Sequence, residues 1–570
     1  MNNVSYSWQL IEQSITDRRL YNHNELFHAI CVNDFCSNIH GAAITDNFKP
    51  ILSKCYSQRY RHLGLTANAT DFNCSNVEDE PGIYDFIWVF FIFTYATYTI
   101  YATIWDYHFR ANSNNYGPNK TGKKYIIPFS FINNWAKFTT ENKSPDFQKL
   151  KSIQGIRFYN MLLIIFCHTY SSYIGGYVQN TSYLENIQNN PIKLGVRNLF
   201  VFLVQSFFLI SSFLLSYHIF QVMDKTRFNI KYIVLAFLNR YLRIIPSVLM
   251  MMGVGTTIWI VSLYSGPIKE FYSYLEYRRC RKNWWTILLF INNHYNQYDM
   301  CYFITWYLAA DTQLYLLSLI VLSVIWKFRH KTKFILALCL VIAILIPTVI
   351  SYIYNLDVIY RITPENSKNN KFRSFSFNAI YSSTYANMAT YIVGLCTGYI
   401  YFKMKNNTSS SFVEKPVYKL LWWAAFFGLP TLVIIWSSYY YTRLYSALLC
   451  GILKPLYALG IGIGIIGMSQ QLGGIAKKIC EWSPAVYLGN LTYSTYLVHY
   501  GIVFYRTATV KQPLYVSDYV LLTSFLCDAI LSFVCGFLTH IFVELPALQL
   551  QNYLVPQVRN QRSSSNAKNM

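Results

Sequence analysis

Charge is what this chain lacks most. Only 13% of its 570 residues are Asp, Glu, Lys or Arg, well below the roughly 25% of soluble proteins. That scarcity excludes an ordinary water-exposed globule. Apolar runs of about 20 residues recur along it, as bilayer-spanning helices require, and 53% of the chain is hydrophobic. C-x-x-C pairs are absent, which removes the common zinc frameworks, and no metal is expected. Solenoid-type repeats are absent too. The N-terminus, MNNVSYSWQLIEQ, has no basic stretch followed by an apolar one. No signal peptide is legible there, so either the span at 84–106 carries the preceding segment across or a true start lies upstream of Met1, the second being the favoured expectation.

What is present is a series of eleven predicted spans, at about 84–106, 157–178, 196–220, 243–264, 304–325, 334–354, 385–403, 418–440, 446–468, 485–507 and 518–544. The fold class read from them is an all-α polytopic membrane protein. Residues 1–83 form a small outer cysteine-containing domain, 84–106 a first transmembrane helix, and 107–150 a basic cytosolic linker. Residues 151–550 form a ten-span bundle and 551–570 a disordered cytosolic tail.

The formal charge of +22 raises nucleic acid as a partner. Its placement argues against that. Alternate loops at 107–156, 221–243, 326–333, 403–419 and 469–484, with the tail, hold 26 of the 48 Lys and Arg. The positive-inside rule makes these cytosolic, and an odd span count puts the N-terminus outside. The lipid bilayer is the partner, in the plasma membrane or endoplasmic reticulum. Loop 265–303 resists the rule, carrying Arg278, Arg279, Arg281 and Lys282 although it must lie outside.

Cysteines follow the same division. Cys31, Cys36, Cys55 and Cys74 precede the first span, and Cys280 and Cys301 share the second long outer loop. Even numbers in an oxidising compartment make them disulfide candidates. Sequons at Asn68, Asn73 and Asn180 would be outside and glycosylated. Those at Asn119, Asn142 and Asn406 would face the cytosol and stay bare.

Polar groups inside the spans carry the chemistry. Arg157 and His168 lie eleven positions apart in IRFYNMLLIIFCHTY, which puts the histidine roughly 16 Å deeper, near the bilayer midplane. An ionisable group at that depth is functional by default, although a neutral imidazole can also serve packing alone. Arg240 and Arg243 in NRYLRIIP open the fourth span, with Pro246 near its first turn. Both could hold a phosphate-bearing ligand or simply anchor the helix. Asp311 lies near Trp306 and Gln313 in TWYLAADTQLYLL. Lys454 precedes Pro455, where the helix is expected to break beside a cavity. His499 and Asp528 are intramembrane as well, and Glu544 closes the last span.

Together these groups suggest a polar cavity crossing the membrane. His168 would act as general base on a hydroxyl. Arg157, Arg240 and Arg243 would bind the phosphates of an acyl-coenzyme A co-substrate. Trp306, Asp311, Gln313, Lys454 and His499 would serve the acceptor side as contacts or charge partners. No bound cofactor is expected. A proton-coupled transporter would need the same buried groups.

The motifs QGIRFYNMLLIIFCHTY, SFFLISSFLLSYHIF, RYLRIIP, NWWTILLFINN, TWYLAADTQLYLL, YIVGLCTGY, LGNLTYSTYLVHY and VELP occur in the order and spacing of a known family. Over about 30–550 the chain resembles the invertebrate nose-resistant-to-fluoxetine proteins, whose membrane part belongs to acyltransferase family 3. The resemblance implies a ten-helix bundle in which arginine, ten residues and histidine form the catalytic signature, here Arg157 and His168. It also implies roles for Arg240, Arg243, Trp306, Asp311, Gln313 and His499. Departures stand at Gln205 (usually aspartate), Ser212 and Cys167 (usually glycine), and Asn387 and Thr390 (usually arginine and proline).

The leading expectation is a membrane-bound acyltransferase. It would move an acyl group such as acetyl from cytosolic acyl-coenzyme A to a hydroxyl of a lipid, sugar or small hydrophobic acceptor. The alternative is a lipid- or drug-transporting protein without transferase chemistry. A receptor built on the outer cysteines would leave the buried charges unexplained.

Overall fold

The computed structural model describes residue 21 and residues 48–70, 80–112, 123–176, 178–223, 230–257, 263, 275–364, 374–406 and 416–554. Eleven long helices are found among these residues. They are α1 Ile83–Asn112, α2 Ser152–Ile174, α3 Pro191–Met223, α4 Ile230–Gly255, α5 Trp306–Lys327, α6 Thr332–Ile353, α7 Thr384–Asn406, α8 Pro416–Ser437, α9 Arg443–Ser469, α10 Thr492–Ala508 and α11 Asp518–Tyr553. No strand is formed among the described residues; Val178 and Leu514 make one isolated bridge. The chain is an all-α polytopic membrane protein.

Eight of the eleven helices are long and apolar enough to cross a membrane by length and composition alone. The other three, α2, α7 and α10, hold Arg157 with His168, Asn387 with Thr390, and His499. Their neighbours shield them. Fifteen of the 23 residues of α2 are buried, so α2 need not be apolar all round. The outer helices show the complementary pattern. Phe90 and Phe93 of α1 and Phe334 of α6 are among the large apolar side chains left exposed, as lipid contact requires.

Tie points between loops define the two ends of the bundle. Asn180 clasps Val516, donating to its carbonyl at 2.7 Å and accepting from its N–H at 2.8 Å. Arg443 donates to the carbonyls of Tyr352 and Ile353. These loops lie at the end that carries the Cys280–Cys301 disulfide, hereafter the disulfide end. At the opposite end Asp146 takes hydrogen bonds from Lys405 and Gln221, and Tyr159 donates to Ile479 O. Ser130 and Ser144 cap the two short helices that lead from α1 to α2.

Two of the four basic residues in the loop that resisted the charge rule are paired in place. Arg281 pairs with Asp85, a fully buried carboxylate in the first turn of α1. Arg279 lies 3.8 Å from Glu276 and 3.6 Å from Asp299. Below this anchor, the Trp88 ring occupies the space beside Gly253 of α4, 2.4 Å from where a Cβ would sit. Replacing Gly253 by valine should lower the melting temperature by the equivalent of about 1–3 kcal/mol. Adding Trp88→Ala should recover part of that loss in the same melting assay.

Three expectations are corrected. α4 begins at Ile230, so Pro246 sits inside the helix and Arg240 and Arg243 lie in its middle turns. The amphipathic run KYIVLAFLNRYLR is helical because α4 packs one face on α10 and α11. α9 passes through Pro455 unbroken, and Lys454 reaches carbonyls outside α9. The predicted span 485–507 is divided into Ser483–Asn490 and α10, where Gly489 meets the backbone of Gln154.

Cys55 is disulfide-bonded. Cys31, Cys36, Cys74, Asn73, Asn119 and the tail beyond 554 lie outside the described residues. Asn68 and Asn142 are exposed, whereas Asn180 is half-buried in its clasp.

Candidate active site

α2 is pinned at both of its faces. Gly155 lies so close to the Cys480 backbone that a Cβ would stand 2.0 Å from the Cys480 carbonyl oxygen. Nearly two turns past the middle, Thr169 donates its hydroxyl to Asp528 of α11 at 2.7 Å. Asp528 is itself held by Arg506 of α10 at 3.0 Å. With Thr169 fixed toward α11, His168 is turned by about 100° onto the neighbouring face of the helix. That face meets α10. The Gly155→Ala variant should displace α2 and Arg157 with it, lowering both the melting temperature and the affinity for an acyl donor.

The His168 ring lies 5.2 Å from the His499 ring and 5.5 Å from that of Tyr500, centroid to centroid. His168 is half-buried, and its nitrogens have no hydrogen-bond partner among the described residues. His499 is fully buried, with Nδ1 2.6 Å from the Tyr496 carbonyl oxygen. A carbonyl only accepts, so Nδ1 carries the proton and Nε2 presents a lone pair. That Nε2 is buried without a donor. Two imidazoles with uncommitted nitrogens therefore face each other in the middle of the bundle.

Guanidinium groups stand on the opposite-end side of this pair. Arg157 has one hydrogen-bond partner among the described residues, Gln154 at 3.4 Å, and lies within electrostatic reach of Arg243, Tyr307 and Asp311. Arg243 is exposed, forms no ion pair among the described residues, and lies within electrostatic reach of Glu544. Arg240 differs. It is ion-paired with Asp311, receives Ser211 Oγ as acceptor at 3.2 Å, and stacks over the Tyr315 ring at 4.4 Å. Two cations assigned alike from sequence thus sit in different circumstances, one paired and one open. The second carboxylate oxygen of Asp311, Oδ1, is buried without a partner.

Gln313 is bound into a separate network. It donates to Phe290 O and Asn293 Oδ1 and accepts from Thr384, which ties α5 to the start of α7. Trp306 is 4% exposed and packs at 4.9 Å from the Tyr381 ring. Lys454 donates to Ile380 O at 2.8 Å, Ala386 O at 3.2 Å and Asn387 Oδ1 at 3.1 Å. Ile380 belongs to a π-helical turn, Asn378–Ser382, whose wider winding frees carbonyls for such a donor. Lys454 is thus a fastener of this turn.

Several functional-looking contacts had no reading in the sequence. Gln205 Nε2 donates to Asn387 Oδ1 at 2.9 Å, and Thr390 donates to Gln205 Oε1 at 2.8 Å. The acid and base expected at 205 and 387 are replaced together by amides that satisfy each other. Arg506 neutralises Asp528, and only the carboxylate had been noticed. Glu544 accepts from His540 at 2.8 Å and Ser494 at 2.6 Å, in a second π-helical turn, His540–Glu544. The i, i+4 spacing of His540 and Glu544 was the one available signal for that pair.

Residues 150–541 match the family model described as an acyltransferase domain, that of acyltransferase family 3. The chain is 23% identical over 455 residues to nose resistant to fluoxetine protein 6 of Caenorhabditis elegans, which covers 76% of this chain and 54% of that protein. The chain therefore spans about half the length of this relative. No solved structure matches it. A family match over most of the chain, carried by a helical bundle with the arginine and histidine of α2 at its centre, makes this protein a member of acyltransferase family 3.

Proposed function

We propose that the chain is a membrane-bound transferase that moves an acetyl or other acyl group from cytosolic acyl-coenzyme A to a hydroxyl. The acceptor would be a lipid, a sugar or a small hydrophobic molecule. The observation that carries this reading is the uncommitted imidazole of His168 in the interior of the bundle. A histidine kept for packing would have its nitrogens bonded.

In this reading His168 removes the hydroxyl proton as the acceptor oxygen attacks the thioester carbonyl. The C–S bond then breaks, and the departing thiolate takes the proton back from the imidazolium, leaving free coenzyme A. The His499 Nε2 lone pair orients the hydroxyl or the His168 N–H. Arg157 and Arg243, both open, hold the donor phosphates. Arg240 and Asp311 shape the wall between donor and acceptor. The disulfide end faces the oxidising side, where Cys280–Cys301 persists, and the linker end faces the cytosol.

Incubation of the purified protein with labelled acetyl-coenzyme A and a lipid extract tests the proposal by mass analysis. The expected result is an acetylated acceptor together with free coenzyme A. Acceptor moved across vesicles unchanged, with the thioester intact, would establish the transport reading instead.

A further inference from the structure

Two arginines are buried at the disulfide end, and no step of the proposed reaction uses them. Arg197 lies about two turns into α3 and is 4% exposed; Arg361, between α6 and α7, is 5% exposed. Arg361 is held firmly. It donates to Ser437 O at 3.3 Å and Tyr439 O at 2.7 Å, stacks at 4.0 Å over the Tyr440 ring, and lies 3.7 Å from Asp357.

Arg197 is not held. Its Nε is buried without a partner, and no group among the described residues accepts a hydrogen bond from its guanidinium. Its ionisable neighbours are Tyr170, Arg361 and Tyr440, two phenols and a second cation. A guanidinium withdrawn from water beside a like charge, with its donors unused, is costly to keep. The neighbouring Asn198, by contrast, is held by its amide donating to Ser438 Oγ at 3.0 Å. Tyr440, 59% exposed, marks the side on which this cluster opens.

We propose that Arg197, with Arg361, Tyr170 and Tyr440 around it, forms an anion-binding site just beneath the surface of the disulfide end. The ligand class is a carboxylate or phosphate, carried by a lipid headgroup or free in solution. The planar fork of Arg197 suits either group, and the phenols can donate to a remaining oxygen. The site is separate from the Arg157–Arg243 side of the bundle and stands whether or not His168 transfers acyl groups.

The test uses full-length protein in neutral detergent, with melting temperature followed against inorganic phosphate, acetate, phosphatidic acid and phosphatidylcholine. Wild type should be stabilised by the anions and not by phosphatidylcholine, with the effect fading as chloride rises. Arg197→Met and Arg197→Gln should stay folded without anion, since an unpaired buried charge has been removed. Their apparent affinity for the anion should fall on the order of tenfold or more. Arg243→Gln, at the other end, should keep this part of the response. A response to phosphate and phosphatidic acid alike supports a site that takes a free anion; one to phosphatidic acid alone supports a headgroup site. No anion response in wild type, or an undiminished one in Arg197→Met, overturns the proposal.

Discussion

Replacing His168 by alanine should abolish acyl transfer and leave the melting temperature almost unchanged. The two halves of that expectation have different origins. General-base catalysis contributes about 10²- to 10⁴-fold, so removing the base should reduce turnover to that extent or below detection. Stability is spared because the imidazole is half-buried and bonds to nothing among the described residues. His499→Ala gives the contrast. Its ring is fully buried against Tyr496, so that variant should lose both activity and stability. Turnover of acetyl-coenzyme A by purified His168→Ala at the wild-type rate would remove this residue from the chemistry.

The second large effect concerns Arg240 and Asp311. Removing one partner of a buried ion pair costs about 3–5 kcal/mol, because the other charge is left stranded. Asp311→Ala should therefore melt far below wild type. The double variant Arg240→Met with Asp311→Leu should recover most of that loss, since an apolar pair of similar volume is close to neutral. Activity should not return with it. Asp311 Oδ1 has no hydrogen-bond partner among the described residues, and the pair lies within electrostatic reach of Arg157. Melting curves and turnover on the same three preparations separate the roles. A single variant as stable as wild type, or a double variant that transfers normally, contradicts this assignment.

The helices were legible in the sequence because the bilayer imposes one length and one composition on whatever faces it. Their ends were less so. The start of α4 was placed thirteen residues late, since its first turns carry Lys231, Asn239 and Arg240 among the apolar side chains and so break the apolar run. Likewise the His168 position followed from depth alone, whereas its rotation depends on Thr169 reaching Asp528, 359 residues away in sequence. Partners were the least visible feature. Arg240 reads as a donor contact until Asp311, 71 positions on, is seen to occupy it. Lys454 reads as an intramembrane charge in want of a counterion until three oxygens, two of them backbone carbonyls, are found around it. A carbonyl has no letter in the sequence, so that kind of partner could not have been named.

The docking of α1 reaches further than packing. Asp85 and Trp88 connect this helix to the disulfide-bearing hairpin and to α4, while most of its remaining surface is left to lipid. A tug on the residues ahead of α1 would be delivered through one indole ring to the helix that bears Arg240 and Arg243. Whatever grips the N-terminal portion would thereby pull on the disulfide end of α4, ten residues beyond Arg243.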